Sequence, residues 1–255
     1  MIANHLSETV TNTPKPRKGL TLGEFIIATV VVLLIGFVAA AFFLPSVRRG
    51  REPARRSQCM NNLKQIALAL HNYHDKYQAF PPAYTVDAEG KPLHSWRTLI
   101  LPFMGEQALY AKIDLTKPWN DPANAEVFKT NVSVYCCPSE LGPTTNTTYL
   151  AVVTSNSCLR PGESVRLSDI KDGTSNTLMV TEVDSEHAVP WMAPTDADES
   201  LFLAISPTSK LVHTGGVQAA FADGSVRFVN ASMPAEIRRA LISIDGNESP
   251  TDNYF

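Results

Sequence analysis

The stretch from Phe25 to Leu44 is apolar except at Thr29 and Gly36, and nothing else in the 255-residue chain restricts its fold more. As a helix rising about 1.5 Å per residue it would span roughly 30 Å, the hydrocarbon thickness of a bilayer. Residues 20–44 are therefore expected to form a single membrane helix. A secretory signal peptide is the nearest rival, with an apolar core of only about 7–15 residues ending at a small-residue cleavage site. The sequence "AAAFFLP" does offer small residues.

Glu24 is the misfit in this run. An acidic residue costs about 2.5–3.5 kcal/mol at a membrane centre and less towards the interface, so it calls for compensation. A cut between Gly19 and Leu20 would place a new α-amine one helical turn from Glu24, on the same chain or on a neighbouring subunit. Orientation by cations is nearly balanced: Lys15, Arg17 and Lys18 precede the run, and Arg48, Arg49, Arg51, Arg55 and Arg56 follow it. The count alone puts the N-terminus outside, although the downstream arginines also suit a role as interfacial anchors.

Four cysteines, Cys59, Cys136, Cys137 and Cys158, show no C-x-x-C or other zinc spacing, so no metal is expected. In an oxidising compartment a bridge such as Cys59 to Cys137 could clamp the helix to the domain; buried thiols are the equal alternative, and sequence does not assign connectivity. The formal charge is −3, and it becomes −5 once the leader is removed. A mildly acidic mature chain argues against a nucleic-acid partner.

Residues 1–19 are polar and read as a leader. Beyond the apolar run, Met60, Leu63, Ile66, Ala67, Leu70, Tyr73 and Tyr77 recur at helical steps, which predicts an amphipathic stalk over 45–78. Pro45 and Pro53 predict a bend or break in it. "SWRTLILPFMGEQALYAKIDL" predicts a short helix pair broken at Pro102. "SVYCCP", "TTYLAVV", "TLMVTEV", "VQAAFA" and "SVRFV" predict short antiparallel strands. The expected organisation is a leader (1–19), membrane helix (20–44), stalk (45–78), extracytoplasmic α+β domain (79–235) and C-terminal tail (236–255), with long loops over 140–148, 154–176 and 184–210.

Basic residues, then Gly19, then "LTLGEF" with an apolar run, resemble the class III signal of type IV pilins and type II secretion pseudopilins. Leu20 and Gly23 depart from the usual pattern. The resemblance implies cleavage after Gly19 and methylation of Leu20 by a prepilin peptidase, an N-terminus in the cytoplasm, and Glu24 setting register during assembly. Six further stretches, "RRSQCMNNLKQIALALHNYHDKYQAFPP", "SWRTLILPFMGEQALY", "YCCPSE", "LSDIKDGTSNTLMVTEV", "VPW" and "HTGGVQAAFADGSVRFV", are similar to the prepilin-like proteins called domain of unknown function 1559. That family's closing signature corresponds to His213, Asp223 and Gly224. Together these resemblances imply a pilin-like α+β fold: a long N-terminal helix on a mainly antiparallel sheet.

Physically, Asp223-Gly224 predicts a type I′ hairpin with Gly224 at positive φ. His213 and Asp223 read first as loop-shaping residues. A catalytic pair would need a nucleophile, and Ser225 lies in no G-x-S-x-G elbow. Asp172, Asn176 and Glu182, in and after "DGTSNT", are weak calcium candidates beside plain turn chemistry. His71, His74 and Asp75 lack a third ligand at metal spacing and read as packing or surface residues. Trp96, Trp119 and Trp191 read as core or loop anchors, with a glycan-stacking platform as the rival. The expected function is a non-enzymatic, cofactor-free pilin-like or pseudopilin-like protein of the bacterial inner membrane. Its expected partners are the prepilin peptidase, an inner-membrane assembly platform with its ATPase, other pilin-like subunits and the lipid bilayer. The alternative is a membrane-tethered module that binds a solute or glycan.

Overall fold

The structure, a computed structural model, describes residues 21–139, 142–143 and 145–246, and leaves the side chains of 39–51 undescribed. Gly19 and Leu20, the leader, and the chain after residue 246 lie outside that range. The chain divides into two units, Met1–Gly50 and Arg51–Phe255.

α1 runs over Leu22–Tyr77 without interruption at Pro45 or Pro53. The expected break is absent even though an internal proline costs a helix about 3 kcal/mol. Pro53 takes the amide partner from the residue 49 carbonyl alone, one bond among those of a 56-residue helix.

In the first unit, residues 22–38 of α1 are exposed throughout. Among the described residues no helix is long and apolar enough to cross a membrane. The described apolar part, Leu22 to Val38, spans only about 26 Å as a helix, short of a bilayer core of about 30 Å. The membrane helix expected over 20–44 thus extends beyond what the described residues carry.

The second unit is α+β. α1 contributes Cys59, Leu63, Ile66, Ala67 and Leu70, all fully buried, from one face, as the periodicity predicts. Tyr77, expected on that face, is exposed. Next comes a hairpin not anticipated from the sequence, β1 (Tyr84–Val86) paired with β2 (Pro92–Ser95). The expected helix pair follows as α2 (Trp96–Leu99), a 3-10 turn Leu101–Met104 and α3 (Gln107–Tyr110); Pro102 opens the turn, and Gly105 ends it at φ 83°. α4 (Ala125–Phe128) precedes "SVYCCP", which is a 3-10 turn (Ser133–Tyr135) and not the expected strand. Tyr135 and Cys137 are buried there without strand pairing, with Tyr135 donating to the Arg97 carbonyl at 2.6 Å.

β3 (Asn146–Thr147) pairs with β6 (Val189–Pro190). The main sheet is antiparallel, in the order β4 (Tyr149–Leu150), β5 (Leu178–Glu182), β7 (Gly216–Phe221) and β8 (Val226–Asn230). Its central strands β5 and β7 are buried along their whole length. Side chains that alternate along a strand fall into two cores, as the two-residue period requires. Tyr149, Ala151, Met179, Ala220 and Ala222 join the α1 core. Leu150, Val152, Leu178, Ala219 and Phe221 join a second core, with Phe202 of α5 (Glu199–Leu203) and Leu241 and Ile242 of α6 (Ala235–Ile242). α6 corrects the expected tail over 236–255: its buried residues close the second core.

Candidate functional site

Glu52, Arg56 and Cys59 stand at i, i+4 and i+7 on α1, hence on one face. That face meets the segment leading into β7. Arg56 donates from Nη2 to the Thr214 carbonyl at 2.9 Å, and its guanidinium lies 4.5 Å from the centroid of the Phe228 ring. Expected at a lipid interface, Arg56 instead ties helix to sheet. A disulfide joins Cys59 to Cys137, with Cα atoms 5.4 Å apart.

His213 lies at the centre of this contact and is fully buried. Its Nδ1 is 2.9 Å from Glu52 Oε1, its Nε2 is 3.5 Å from Glu182 Oε1, and the same Nε2 is 3.9 Å from Cys137 Sγ. Glu182, the last residue of β5, is held by its other oxygen, which accepts the Gln218 amide of β7 at 3.0 Å. Burial works against a charged His213, but Glu182 and Glu52 outweigh it and hold the pKa above the ordinary imidazole range. Glu182 Oε1 is buried and has no hydrogen-bond partner; its 3.5 Å approach to His213 is an ion-pair contact without hydrogen-bond geometry. Among the described residues, Cys59, Cys137, Glu182 and His213 form a group whose ligand atoms all lie within 4.8 Å of one another. The group draws on four separate segments, so cysteine spacing along the chain gives no hint of it.

The other signature residues sit at the far end of β7. The Gly224 amide donates to the Phe221 carbonyl and the Phe221 amide to the Ser225 carbonyl, both at 2.9 Å. Gly224 has φ 81°, as expected. Asp223 does not share its positive φ, so the connection is a turn closed by a glycine bulge and not type I′. Asp223 accepts the Ser225 amide at 2.8 Å and faces Arg227 at 3.5 Å. His213 and Asp223 thus have different partners at opposite ends of one strand, and Ser225 Oγ accepts from Arg227. No His–Asp–Ser constellation is assembled.

Residues 48–158 match the family model described as protein of unknown function (DUF1559). Over this stretch, 111 of the 255 residues, the chain is similar to that family. The match takes in Glu52, Arg56, Cys59 and Cys137, and ends before the His213–Gly224 signature. No curated protein and no solved structure matches the chain.

The remaining candidates are spoken for. Asp172 Oδ2 accepts the Gly246 amide at 2.7 Å, and Asn176 donates to the Asp172 carbonyl at 3.1 Å. Glu182 is engaged at His213, so the calcium candidates do not converge. His71 and His74 pack against Phe80, at ring separations of 5.5 and 5.0 Å, and His74 Nε2 accepts the Leu167 amide. Trp96 and Trp191 are buried and donate to Asp196 and to the Thr130 carbonyl, while Trp119 packs on Phe128; no platform forms. A cavity of 140 Å³ under the 184–210 segment is lined mainly by Val183, Ala197, Leu201, Phe202, Ile205 and Leu211, apolar and smaller than the roughly 300–1,000 Å³ of ordinary ligand sites.

One buried feature escaped the sequence reading. Arg97 is fully buried, and its guanidinium reaches Asp196 Oδ1 at 2.7 Å and the carbonyls of Tyr149, Trp191, Ala193 and Thr195. Asp196 Oδ1 also accepts from Trp96 and from the Ala151 amide. Every guanidinium N–H has an acceptor, which marks a structural node that pins the 191–197 segment rather than a reactive group.

Proposed function

We propose that this protein is a non-enzymatic, membrane-anchored subunit of a pilin-like or pseudopilin-like assembly, its second unit lying outside the cytoplasm. The observation that carries the reading is residues 22–38 of α1, apolar and exposed on every side. A helix apolar all round belongs in a core or in lipid, and the described residues of this unit supply no core for it. Its few polar groups are met locally. Thr29 Oγ1 donates to the Phe25 carbonyl at 2.8 Å. Thr21 donates its amide (2.8 Å) and hydroxyl (3.0 Å) to Glu24 Oε2, and Thr21 Oγ1 accepts the Glu24 amide at 3.4 Å, a reciprocal capping box at the helix start. The apolar sequence continues to Leu44, long enough for lipid, and Gly19/Leu20 resembles a prepilin processing site.

Two roles of Glu24 make different predictions. Glutamine keeps an acceptor for the cap but removes the charge, whereas alanine removes both. If the carboxylate pairs with a mature N-terminal amine, Glu24→Gln and Glu24→Ala both abolish recovery of the protein in sheared surface filaments or cross-linked oligomers, while both still insert. Assembly of Glu24→Gln at the wild-type level leaves only the cap. Mass spectrometry of the mature chain should find a methylated Leu20; an intact leader would overturn the pilin-like route.

A further inference from the structure

We infer that Cys59, Cys137, His213 and Glu182 form a zinc site that the disulfide conceals and that reduction by a dithiol opens. Three observations converge on it. First, four ligand atoms of the types zinc prefers lie within 4.8 Å of one another and are buried. Of the separations from His213 Nε2, 3.5 Å to Glu182 Oε1 falls within the edges of a zinc tetrahedron, about 3.3–3.8 Å for bonds of about 2.0–2.3 Å, and 3.9 Å to Cys137 Sγ lies just beyond them.

Second, the carboxylate donor is fixed in place and has an oxygen without a hydrogen bond. Glu182 Oε1 is buried without a hydrogen-bond partner while Oε2 is fixed by the Gln218 amide, so the carboxylate is held with a ligand oxygen within 4.8 Å of the sulfurs and of His213. Oε1 approaches His213 at 3.5 Å, without hydrogen-bond geometry, and a metal ion shared by the two groups would give that oxygen the direct bond it lacks. Third, the outer support is in place. Nδ1 of His213 is bonded to Glu52, leaving Nε2 towards the cluster, the carboxylate–histidine arrangement found behind metal-ligating imidazoles.

In the oxidised chain the two sulfurs are bonded to each other and are poor ligands. A dithiol supplies two electrons and two protons: the Cys59–Cys137 bond breaks, two thiols form, and the reductant's own sulfurs close into a disulfide. Zn²⁺ then displaces the thiol protons, and any proton on His213 Nε2, to solvent. The site alternates between a covalent and a metal clasp at the same place, each tying α1 to the sheet.

The test uses the full chain in detergent, with Co²⁺ and Zn²⁺ as probes. After dithiol reduction, Co²⁺ should bind at one equivalent with an intense thiolate-to-metal charge-transfer band and tetrahedral visible bands. The oxidised chain and Cys59→Ser/Cys137→Ser should lack both. His213→Asn and Glu182→Gln should each weaken binding at least tenfold, and Glu52→Gln about 10–100-fold with the charge-transfer band retained. Zn²⁺ should raise the Tm of the reduced chain alone. If reduction unfolds the protein, Zn²⁺ should restore its circular dichroism, because the energy of metal binding then drives folding. The proposal is overturned if the reduced chain takes up no Co²⁺, if His213→Asn binds it as tightly as the wild type, or if Zn²⁺ neither stabilises nor refolds the reduced chain. None of these outcomes bears on membrane anchoring or assembly.

Discussion

Glu52 and His213 are 161 positions apart, and their 2.9 Å contact defines the site, yet in the sequence Glu52 is one acid within an arginine-rich run. His213 could be singled out by its place in a signature; its partners could not, because Glu52, Glu182 and Cys137 reach it through long-range packing. Glu24 is the reverse case. "TLGE" ahead of an apolar run is a capping-box signature visible without a structure, and the cap accounts locally for an acid that seemed to demand a distant cation.

A third residue gives a pH-dependent consequence. His94 is fully buried on β2, and neither ring nitrogen has a hydrogen-bond partner of good geometry. Burial lowers its pKa below the usual 6.5, only partly offset by the nearby Lys117 and Asp114 carbonyls. The folded chain therefore resists protonation that the unfolded chain accepts, so the contribution of His94 is complete above 6.5 and is lost as pH falls towards the depressed value. His71 has the same sign, and His213, raised by its carboxylates, the opposite one. Melting curves of wild type and His94→Gln should run parallel at about pH 7–8, and the wild type should lose more stability below about pH 6.5. Identical slopes would mean that His94 is solvated.

At the scale of elements, apolar period was legible in α1, whose stripe faces one core, while β5 and β7 were legible as short apolar runs because they are buried on both faces between two cores. Apolar pattern misled at "SVYCCP", where burial comes from packing and the Cys137 bridge rather than from strand pairing, and it missed α6, which is only eight residues long. The β7–β8 hairpin has two glycines with different physical reasons. A Cβ at Gly216 would collide with the Val229 carbonyl and stand 2.8 Å from the Phe228 ring, because the strands close tightly there. At Gly224 space is adequate, with His71 at 3.5 Å, and the difficulty is the positive φ. Gly216→Ala should therefore cost about 2–3 kcal/mol through overpacking. Gly224→Ala should cost about 1–2 kcal/mol through left-handed strain. Asparagine, which tolerates that conformation, should recover much of the loss at 224 and none at 216, as read by urea unfolding.

At the scale of the molecule, the division at residue 50 assigns both cores, the disulfide and the His213 cluster to Arg51–Phe255. None of the buried residues named for either core precedes Cys59. A chain beginning at Arg51 should therefore fold cooperatively with a Tm within a few degrees of the full protein, and should stay in solution once residues 22–38 no longer present an apolar surface. A chain beginning at residue 79 tests the opposite limit. It gives up Leu63, Ile66 and Leu70, whose burial contributes roughly 1.5–3 kcal/mol each, a sum comparable to the whole stability of an ordinary domain. It also loses Cys59, and with it a cross-link across 78 residues, for which the chain-entropy model gives about 4–5 kcal/mol. That fragment should show no cooperative melt. If it folded as well as the longer one, the helix would be an attachment to a self-sufficient sheet, and the clasp at Cys59 would have no role in holding the fold together.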